Sequence, residues 1–148
     1  MSPEELERYL HEHIPLTKAM EVSVLVASAE RVVLRAPLAP NINHRQTAFG
    51  GSIATLATLA GWSWLHVHAA GAGVRLVIQA SHVEFLKPIE GVFEAICLKP
   101  SEEALATYEE ILTRRGKGRI GLAVTVEYAG QVAATFRGTF VALRNDAP

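Results

Sequence analysis

Aspartate is almost absent from this chain of 148 residues. Fourteen of its fifteen acidic residues are glutamate, and the single aspartate, Asp146, stands two residues from the last position. Asp-x-Asp calcium loops, aspartyl phosphatases, aspartic protease pairs and the usual Ser-His-Asp triad all need aspartates in the body of a chain. The sequence therefore excludes these kinds of site.

The chain also has a single cysteine and almost no net charge. A lone Cys97 cannot form an internal disulfide or a multi-cysteine zinc site, which is typical of a reducing compartment. The 14 Lys and Arg residues nearly balance the acids, so the net charge of −1 provides no excess for binding nucleic acid. With 49% hydrophobic residues and a polar first segment that lacks a signal core, we expect one folded domain, residues 1–148, in the cytoplasm.

One long stretch, from Gln46 to Val74, carries no Lys, Arg, Asp or Glu. It is long enough to span a bilayer, but its glycines, threonines and histidines, and an apolar content that is largely alanine, favour a soluble protein. Apolar character on all sides then indicates a helix enclosed by its own protein. We expect this helix to begin at Gly50-Gly51-Ser52 and to end near Ala69-Ala70-Gly71.

The other segments predict short helices and paired strands. Ser2-Pro3-Glu4-Glu5 starts a helix that runs to about His13, and a second short helix follows Ser101 and stops at Gly116. Alternating apolar residues predict six strands, at Met20–Val26, Arg31–Ala36, Val74–Lys87, Val92–Lys99, Ile120–Tyr128 and Val132–Leu143. Six mainly antiparallel strands around the one apolar helix give an α+β fold.

The loop before the apolar helix is the strongest candidate site. Gly50 and Gly51 let a ligand approach the backbone, and the helix start offers unpaired N–H groups and partial positive charge. Asn43 supplies a side-chain amide just upstream, so the segment could polarise a carbonyl oxygen. The alternative is structural: the glycines allow close packing, and Asn41 and Asn43 form turns.

These residues resemble the hotdog-fold thioesterases, in which a sheet wraps a central helix. In the phenylacetate-type branch an Asn precedes a His-Gly-Gly by six positions; Asn43 precedes Phe49-Gly50-Gly51 by the same interval, with Phe in place of His. Thr47–Ser52 and Leu59–Trp62 are similar to the Thr-Ala-Phe-Gly-Gly-Ser and Leu-Ala-Gly-Trp of the thioesterase domain of the YiiD C-terminal type. Phe85–Gly91 resembles the strand-to-turn signature of the superfamily.

The resemblance implies hydrolysis of acyl thioesters of coenzyme A or of an acyl carrier protein, with catalytic roles for Asn43, Gly51 and Thr58. Thr58 stands where many relatives hold an acidic base, and its hydroxyl stays protonated at neutral pH. Polarisation of the carbonyl by Asn43 and the Gly51 N–H would therefore do most of the work. Substrate contacts are expected from Thr47, Phe49, Gly50, Ser52, His82, Glu84 and Arg115.

Arg115 belongs to the densest basic cluster, with Arg114, Lys117 and Arg119, which would bind a coenzyme A phosphate unless it is only a solvated helix end. No metal or cofactor is implied, coenzyme A being part of the substrate. His66 and His68, two apart on a helix, lie on different faces and do not form a metal pair.

The expected partners are the thioester substrate and further copies of the chain, as a homodimer or a dimer of dimers, because hotdog sites lie between protomers. No nucleic acid or membrane partner is expected. A non-catalytic acyl-thioester binding or regulatory module is an alternative that would explain the missing helix acid. A hotdog hydratase or dehydratase is a third, and it would need an acid–base pair from His44, or from His82 with Glu84.

Overall fold

A computed structural model describes residues 1–146, so the last two residues of the domain predicted over 1–148 lie outside the described part. Its strands are β1 (Ser23–Ala27), β2 (Arg31–Ala36), β3 (Val74–Phe85), β4 (Phe93–Leu98), β5 (Lys117–Tyr128) and β6 (Gln131–Arg144). Its helices are α1 (Pro3–His13), α2 (Pro15–Ala19), α3 (Gly50–His68) and α4 (Glu102–Arg115), with one 3-10 turn at Ala39–Asn41.

The strands form one antiparallel sheet in the order β1-β2-β4-β5-β6-β3. The long helix α3 packs against β2, β3, β4, β5 and β6. The predicted architecture, six strands around one long central helix with short helices at the N-terminus and between β4 and β5, is confirmed. The sheet has two edges, and the edge strand β3 is exposed along most of its length.

Local capping explains where two of the helices begin and end. Ser2 Oγ accepts from the Glu5 N–H at 3.1 Å, and the Glu5 carboxylate accepts from the Ser2 N–H at 2.7 Å, which is the predicted capping box. Ser101 Oγ accepts from the Ala104 N–H at the start of α4. Gly116 ends α4 with a φ of 73°, a conformation that glycine adopts without strain.

The core lies between α3 and the concave face of the sheet. The largest fully buried side chains include Trp64, Phe93, Phe136, Phe140, Leu56 and Leu65. Gly61 allows the close approach of α3 to β6, because a Cβ at this position would lie 2.9 Å from Phe140 Cζ. Trp62 Nε1 donates to the Leu76 carbonyl and ties α3 to β3.

Burial along α3 is uneven, which differs from the enclosed helix expected from its composition. One face is buried throughout, while Ala54, Thr55 and Thr58 are only partly buried and Gly51 is exposed. The partly open face begins at the N-terminal end of the helix. The uncharged helix α3 therefore has one buried face and one face that is accessible to solvent.

The short helix α2 was not expected from the sequence. Pro15 ends α1 and occupies the first helical position of α2, where its missing N–H is no loss. The buried Thr17 hydroxyl donates to the Ile14 carbonyl at 2.8 Å and stabilises this turn. α2 and the start of α3 both line one cleft.

Candidate active site

The start of α3 has no side-chain cap, unlike the starts of α1 and α4. Phe49 occupies the N-cap position with an extended backbone, and its own N–H donates to the Asn41 carbonyl at 2.7 Å. The Ser52 and Ile53 N–H groups donate to the Phe49 carbonyl. Within residues 1–146, neither the Gly50 nor the Gly51 N–H has an acceptor. Two N–H donors at the positive end of the helix dipole are therefore free to bind an oxygen atom.

Two aromatic rings flank these glycines. A Cβ on Gly51 would lie 2.3 Å from Phe49 Cε2, so the observed position of the Phe49 ring requires glycine there. A Cβ on Gly50 would lie 3.5 Å from Phe85 Cε1, which is an ordinary contact. The Phe49 and Phe85 residues are 57% and 55% exposed, so the free N–H donors lie between two apolar surfaces that face solvent.

Asn43 closes the loop that precedes α3. Its Oδ1 accepts from the Arg45 and Thr47 N–H groups at 2.8 and 3.1 Å, and its Nδ2 donates to Thr47 Oγ1 at 2.9 Å. The second Nδ2 hydrogen has only a long contact of 3.4 Å to the Ala48 carbonyl oxygen. Because this contact is weak, a substrate oxygen can compete for that hydrogen.

Asn41, for which the sequence predicts only a turn, anchors the loop to two other segments. It is 2% exposed, and its Nδ2 donates to the carbonyls of Met20 at 3.0 Å and Pro37 at 2.8 Å. These two carbonyls fix the orientation of the amide, since a flipped group would set oxygen against oxygen. In the described structure, Oδ1 of Asn41 is buried and has no hydrogen-bond partner.

Two clefts lie on either side of the helix start. The first, here called the α2 cleft, has a volume of about 340 Å³, and its lining includes Leu16, Ala19, Phe49, Gly51, Ser52 and Thr55. The second, the Lys87 cleft, has a volume of about 300 Å³, and its lining includes Gly50, Phe85, Leu86 and Lys87. The start of α3 therefore brings together four residues that are expected to contact substrate or to take part in catalysis: Phe49, Gly50, Gly51 and Ser52.

Thr58 lies on the same face of α3 as Gly51 and Thr55 but further along the helix. Its Oγ1 donates to the Ala54 carbonyl at 2.8 Å, which leaves the oxygen lone pairs free to accept a hydrogen bond. Seven residues of helix separate Thr58 from Gly51, a rise of about 10 Å. Within one chain Thr58 and the Gly51 N–H therefore cannot contact the same carbonyl group.

His82 and Glu84 lie on the opposite side of the sheet from α3. A bulge at Gln79, where β3 gains one residue relative to β6, reverses the facing of every later side chain on the strand. Val83 packs against the core, whereas His82 and Glu84 are exposed and contact one another at 3.5 Å. The structure does not bring this pair to the start of α3 in the same chain.

Arg115 lies at the other end of the molecule from the clefts. It is exposed in the last turn of α4, beside the end of β6, where Arg144 pairs with Val74 at the beginning of β3. The end of α3 is also there, because His68 Nε2 contacts Glu109 of α4 at 2.8 Å. The 19 residues of α3 separate the two ends by about 28 Å.

None of the other histidines lines either cleft in the described residues. His44 is exposed in the loop. His66 stacks against both Tyr9 and Trp62, with ring centroids at 4.5 and 4.8 Å, and its buried Nε2 lacks a partner among the described residues. Burial, with a smaller contribution from His13, lowers the pKa of His66. No group of three or more His, Cys, Asp or Glu in residues 1–146 could hold a metal ion.

No helix in the described part of the chain is both long enough and apolar enough to cross a membrane. A six-stranded antiparallel sheet around one long helix places the protein in the hotdog-fold class, to which solved structures of thioesterases also belong. A family model described as "Putative thioesterase (yiiD_Cterm)" matches residues 3–144, and the chain belongs to this family. Fold and family together support thioester hydrolysis in general.

Solved structures agree with this assignment. A protein of unknown function from Chlorobaculum tepidum is 28% identical, with a TM-score of 0.91, and the match covers 97% of this chain and 94% of that one. A putative thioesterase from Shewanella oneidensis is also 28% identical, with a TM-score of 0.83 and coverages of 95% and 96%. A mutant of the phenylacetic acid degradation protein PaaI from Thermus thermophilus, 19% identical, has the same fold, with a TM-score of 0.64 and coverages of 88% and 98%.

Proposed function

We propose that this protein hydrolyses acyl thioesters of coenzyme A or of an acyl carrier protein. The observation that carries the proposal is the pair of free N–H groups on Gly50 and Gly51, set between two exposed aromatic rings. Free backbone donors of this kind stabilise the oxyanion that forms when a carbonyl is attacked. The apolar rings beside them suit an acyl group, and no charged side chain of α3 intervenes.

The reaction follows from these donors. The thioester carbonyl oxygen accepts hydrogen bonds from the Gly51 N–H and from Asn43 Nδ2, which gives up its long contact with Ala48. Water attacks the carbonyl carbon, and the negative charge that develops on oxygen is stabilised by both donors and by the α3 dipole. The carbon–sulfur bond then breaks, the sulfur takes the proton released by the water, and a carboxylic acid and a free thiol result. No cofactor or metal takes part.

The remaining substrate contacts follow the same arrangement. Phe49, Gly50 and Ser52 contact the acyl thioester at the start of α3, and Thr47 holds Asn43 in place through its hydroxyl. His82, Glu84 and Arg115 contact substrate only where a second protomer brings them to this site.

A homodimer is part of the proposal. β3 is an edge strand of 12 residues with exposed Val77 and Ile78, and such an edge pairs readily with a second chain. Antiparallel pairing of two β3 strands would set the end that carries Arg115 in one protomer near the clefts of the other. The partner's Thr58 could then accept a hydrogen bond from the attacking water. Light scattering should give the mass of a dimer or dimer of dimers, and Val77→Lys should shift it toward the monomer.

The second candidate function is a binding module that holds an acyl thioester without hydrolysing it. The observation in its favour is that α3 contains neither Asp nor Glu, so no carboxylate on this helix can activate water. Its cellular setting would be the same: we place the protein in the cytoplasm, with reduced Cys97 and no nucleic acid or membrane partner.

The experiment that separates the two functions measures free thiol released from a panel of acyl-CoAs of different chain length. We expect turnover by the wild type, a loss of about 10-fold in kcat for Thr58→Val, and near wild-type kcat for Thr58→Ser. Tight binding of acyl-CoA without thiol release would favour the binding module. Equal activity of Thr58→Val and Thr58→Ser would remove Thr58 from the mechanism.

A further inference from the structure

We infer that the substrate lies across the start of α3 in one direction, with its acyl group in the α2 cleft and its phosphopantetheine arm in the Lys87 cleft. This inference rests on the proposed function and adds which cleft receives which part of the thioester. The two clefts meet at adjacent residues, since Gly51 lines the first and Gly50 the second. A carbonyl held by the free N–H groups would therefore have one cleft on each side.

The chemistry of the linings assigns the acyl group to the α2 cleft. None of the described residues that line it is ionisable, and its apolar members include Leu16, Ala19 and Phe49. Leu16 is 55% exposed, so a hydrocarbon chain would cover apolar surface that now faces solvent. Its volume of about 340 Å³ is near the lower limit of typical small-molecule sites. We therefore expect a short acyl group rather than a long fatty acyl chain.

The Lys87 cleft suits the other half of the substrate. Coenzyme A and acyl carrier protein both present the thioester on a phosphopantetheine arm, which carries negative charge. Lys87 is the ionisable side chain in the lining of this cleft, and its Nζ donates to Gln131 Oε1, which holds it at the rim. Two of its three N–H donors remain available for a phosphate oxygen.

The direction is tested with hexanoyl-CoA and with hexanoyl-N-acetylcysteamine, which has the same thioester but no phosphate. Lys87→Ala should raise KM for hexanoyl-CoA about 3- to 10-fold, the loss expected for one solvent-exposed hydrogen bond of ordinary strength, and leave KM for hexanoyl-N-acetylcysteamine unchanged. Lys18→Ala, an exposed lysine of α2 outside both linings, is the matched control and should change neither value.

The acyl cleft is tested by filling and enlarging it. Ala19→Phe places a ring in the α2 cleft and should lower kcat/KM for both hexanoyl substrates at least about 10-fold, while acetyl-CoA is affected less. Leu16→Ala should raise kcat/KM for decanoyl-CoA relative to hexanoyl-CoA. Both positions are exposed, so folding is preserved, and Ala106→Phe on α4 is the control for an added aromatic ring.

The outcomes are distinct from those of the proposed function. If no thioester is hydrolysed, the same variants are compared by calorimetry with S-hexyl-CoA, a thioether that cannot be hydrolysed, and the same pattern in Kd would support the direction. An effect of Lys87→Ala on both carriers, or no effect of Ala19→Phe on any chain length, would overturn it. A KM increase for hexanoyl-CoA in Arg115→Ala but not in Lys87→Ala would also overturn it, and would assign the phosphate to Arg115 of a neighbouring protomer instead of the Lys87 cleft.

Discussion

Replacing Asn43 by Asp removes the side-chain N–H donor and keeps the oxygen that closes the loop. An Asp carboxylate can still accept from the Arg45 and Thr47 N–H groups, and the Thr47 hydroxyl can turn to donate to the second oxygen. The loop before α3 should therefore keep its shape. What is lost is the Nδ2 hydrogen that, in the proposed mechanism, binds the substrate carbonyl.

The expected magnitudes differ sharply between Asn43→Asp and Asn43→Ala. Loss of an oxyanion donor costs about 100- to 1,000-fold in kcat, so we expect both variants to lose at least 100-fold. The Ala variant also loses three hydrogen bonds of ordinary length, at about 1 kcal/mol each, less what water replaces in a half-exposed loop. A loss of about 2–3 kcal/mol lowers Tm by about 5–10 °C, whereas Asn43→Asp should change Tm by only a few degrees.

The assay is steady-state thiol release together with calorimetric unfolding of the same samples. Equal loss of kcat in the two variants with unequal loss of Tm would support direct polarisation of the carbonyl by Asn43. If Asn43→Asp keeps kcat within about threefold of the wild type while Asn43→Ala loses both activity and Tm, the side chain only closes the loop, and the reasoning is refuted.

Three further predictions concern the core. Gly61→Ala should lower stability by about 1–3 kcal/mol, measured by urea unfolding, because its Cβ would lie 2.9 Å from Phe140 Cζ; an unchanged midpoint would contradict this packing. Burial raises the pKa of the Cys97 thiol to about 12, so a thiol reagent at pH 8 should label it only after unfolding, and rapid native labelling would contradict the burial. Because the pKa of His66 is lower in the folded protein than in the unfolded chain, protonation favours the unfolded chain. The free energy of unfolding is therefore highest above the unfolded pKa near 6.5 and decreases as the pH falls toward the folded pKa. Tm should therefore fall between pH 7 and pH 5, and by less in His66→Phe, which keeps the aromatic stack.

The fold followed from the sequence because its signals are local. The Ser2 capping box, the Ser101 cap and the Gly116 stop each act within one turn, and alternating apolar residues mark the strands whichever way the sheet curls. The sequence does not predict α2, because Pro15 reads equally as the end of α1. A proline that ends one helix can equally occupy the first position of the next.

The site was harder to predict where it depends on register and on distant contacts. His82 and Glu84 alternate with core residues in the sequence, but the bulge at Gln79 decides which face of the sheet they occupy. No residue type in this segment predicts a bulge. The burial of Asn41 could not be predicted from its neighbours in the sequence, because its partners are the carbonyls of Met20 and Pro37 in other segments. The free N–H groups at Gly50 and Gly51 follow from the sequence, because the first N–H groups of any helix have no partner within the helix.

The central claim is that the N–H of Gly51 polarises the substrate carbonyl, and the ratio of kcat between Gly51→Ala and Gly51→Pro tests it most directly. Both substitutions add a Cβ that displaces the Phe49 ring, but only proline removes the N–H, and the first helical turn tolerates it. With Tm and circular dichroism confirming that both variants fold, the account predicts a kcat for Gly51→Pro at least about 100-fold below that of Gly51→Ala. Equal kcat in the two folded variants would contradict it.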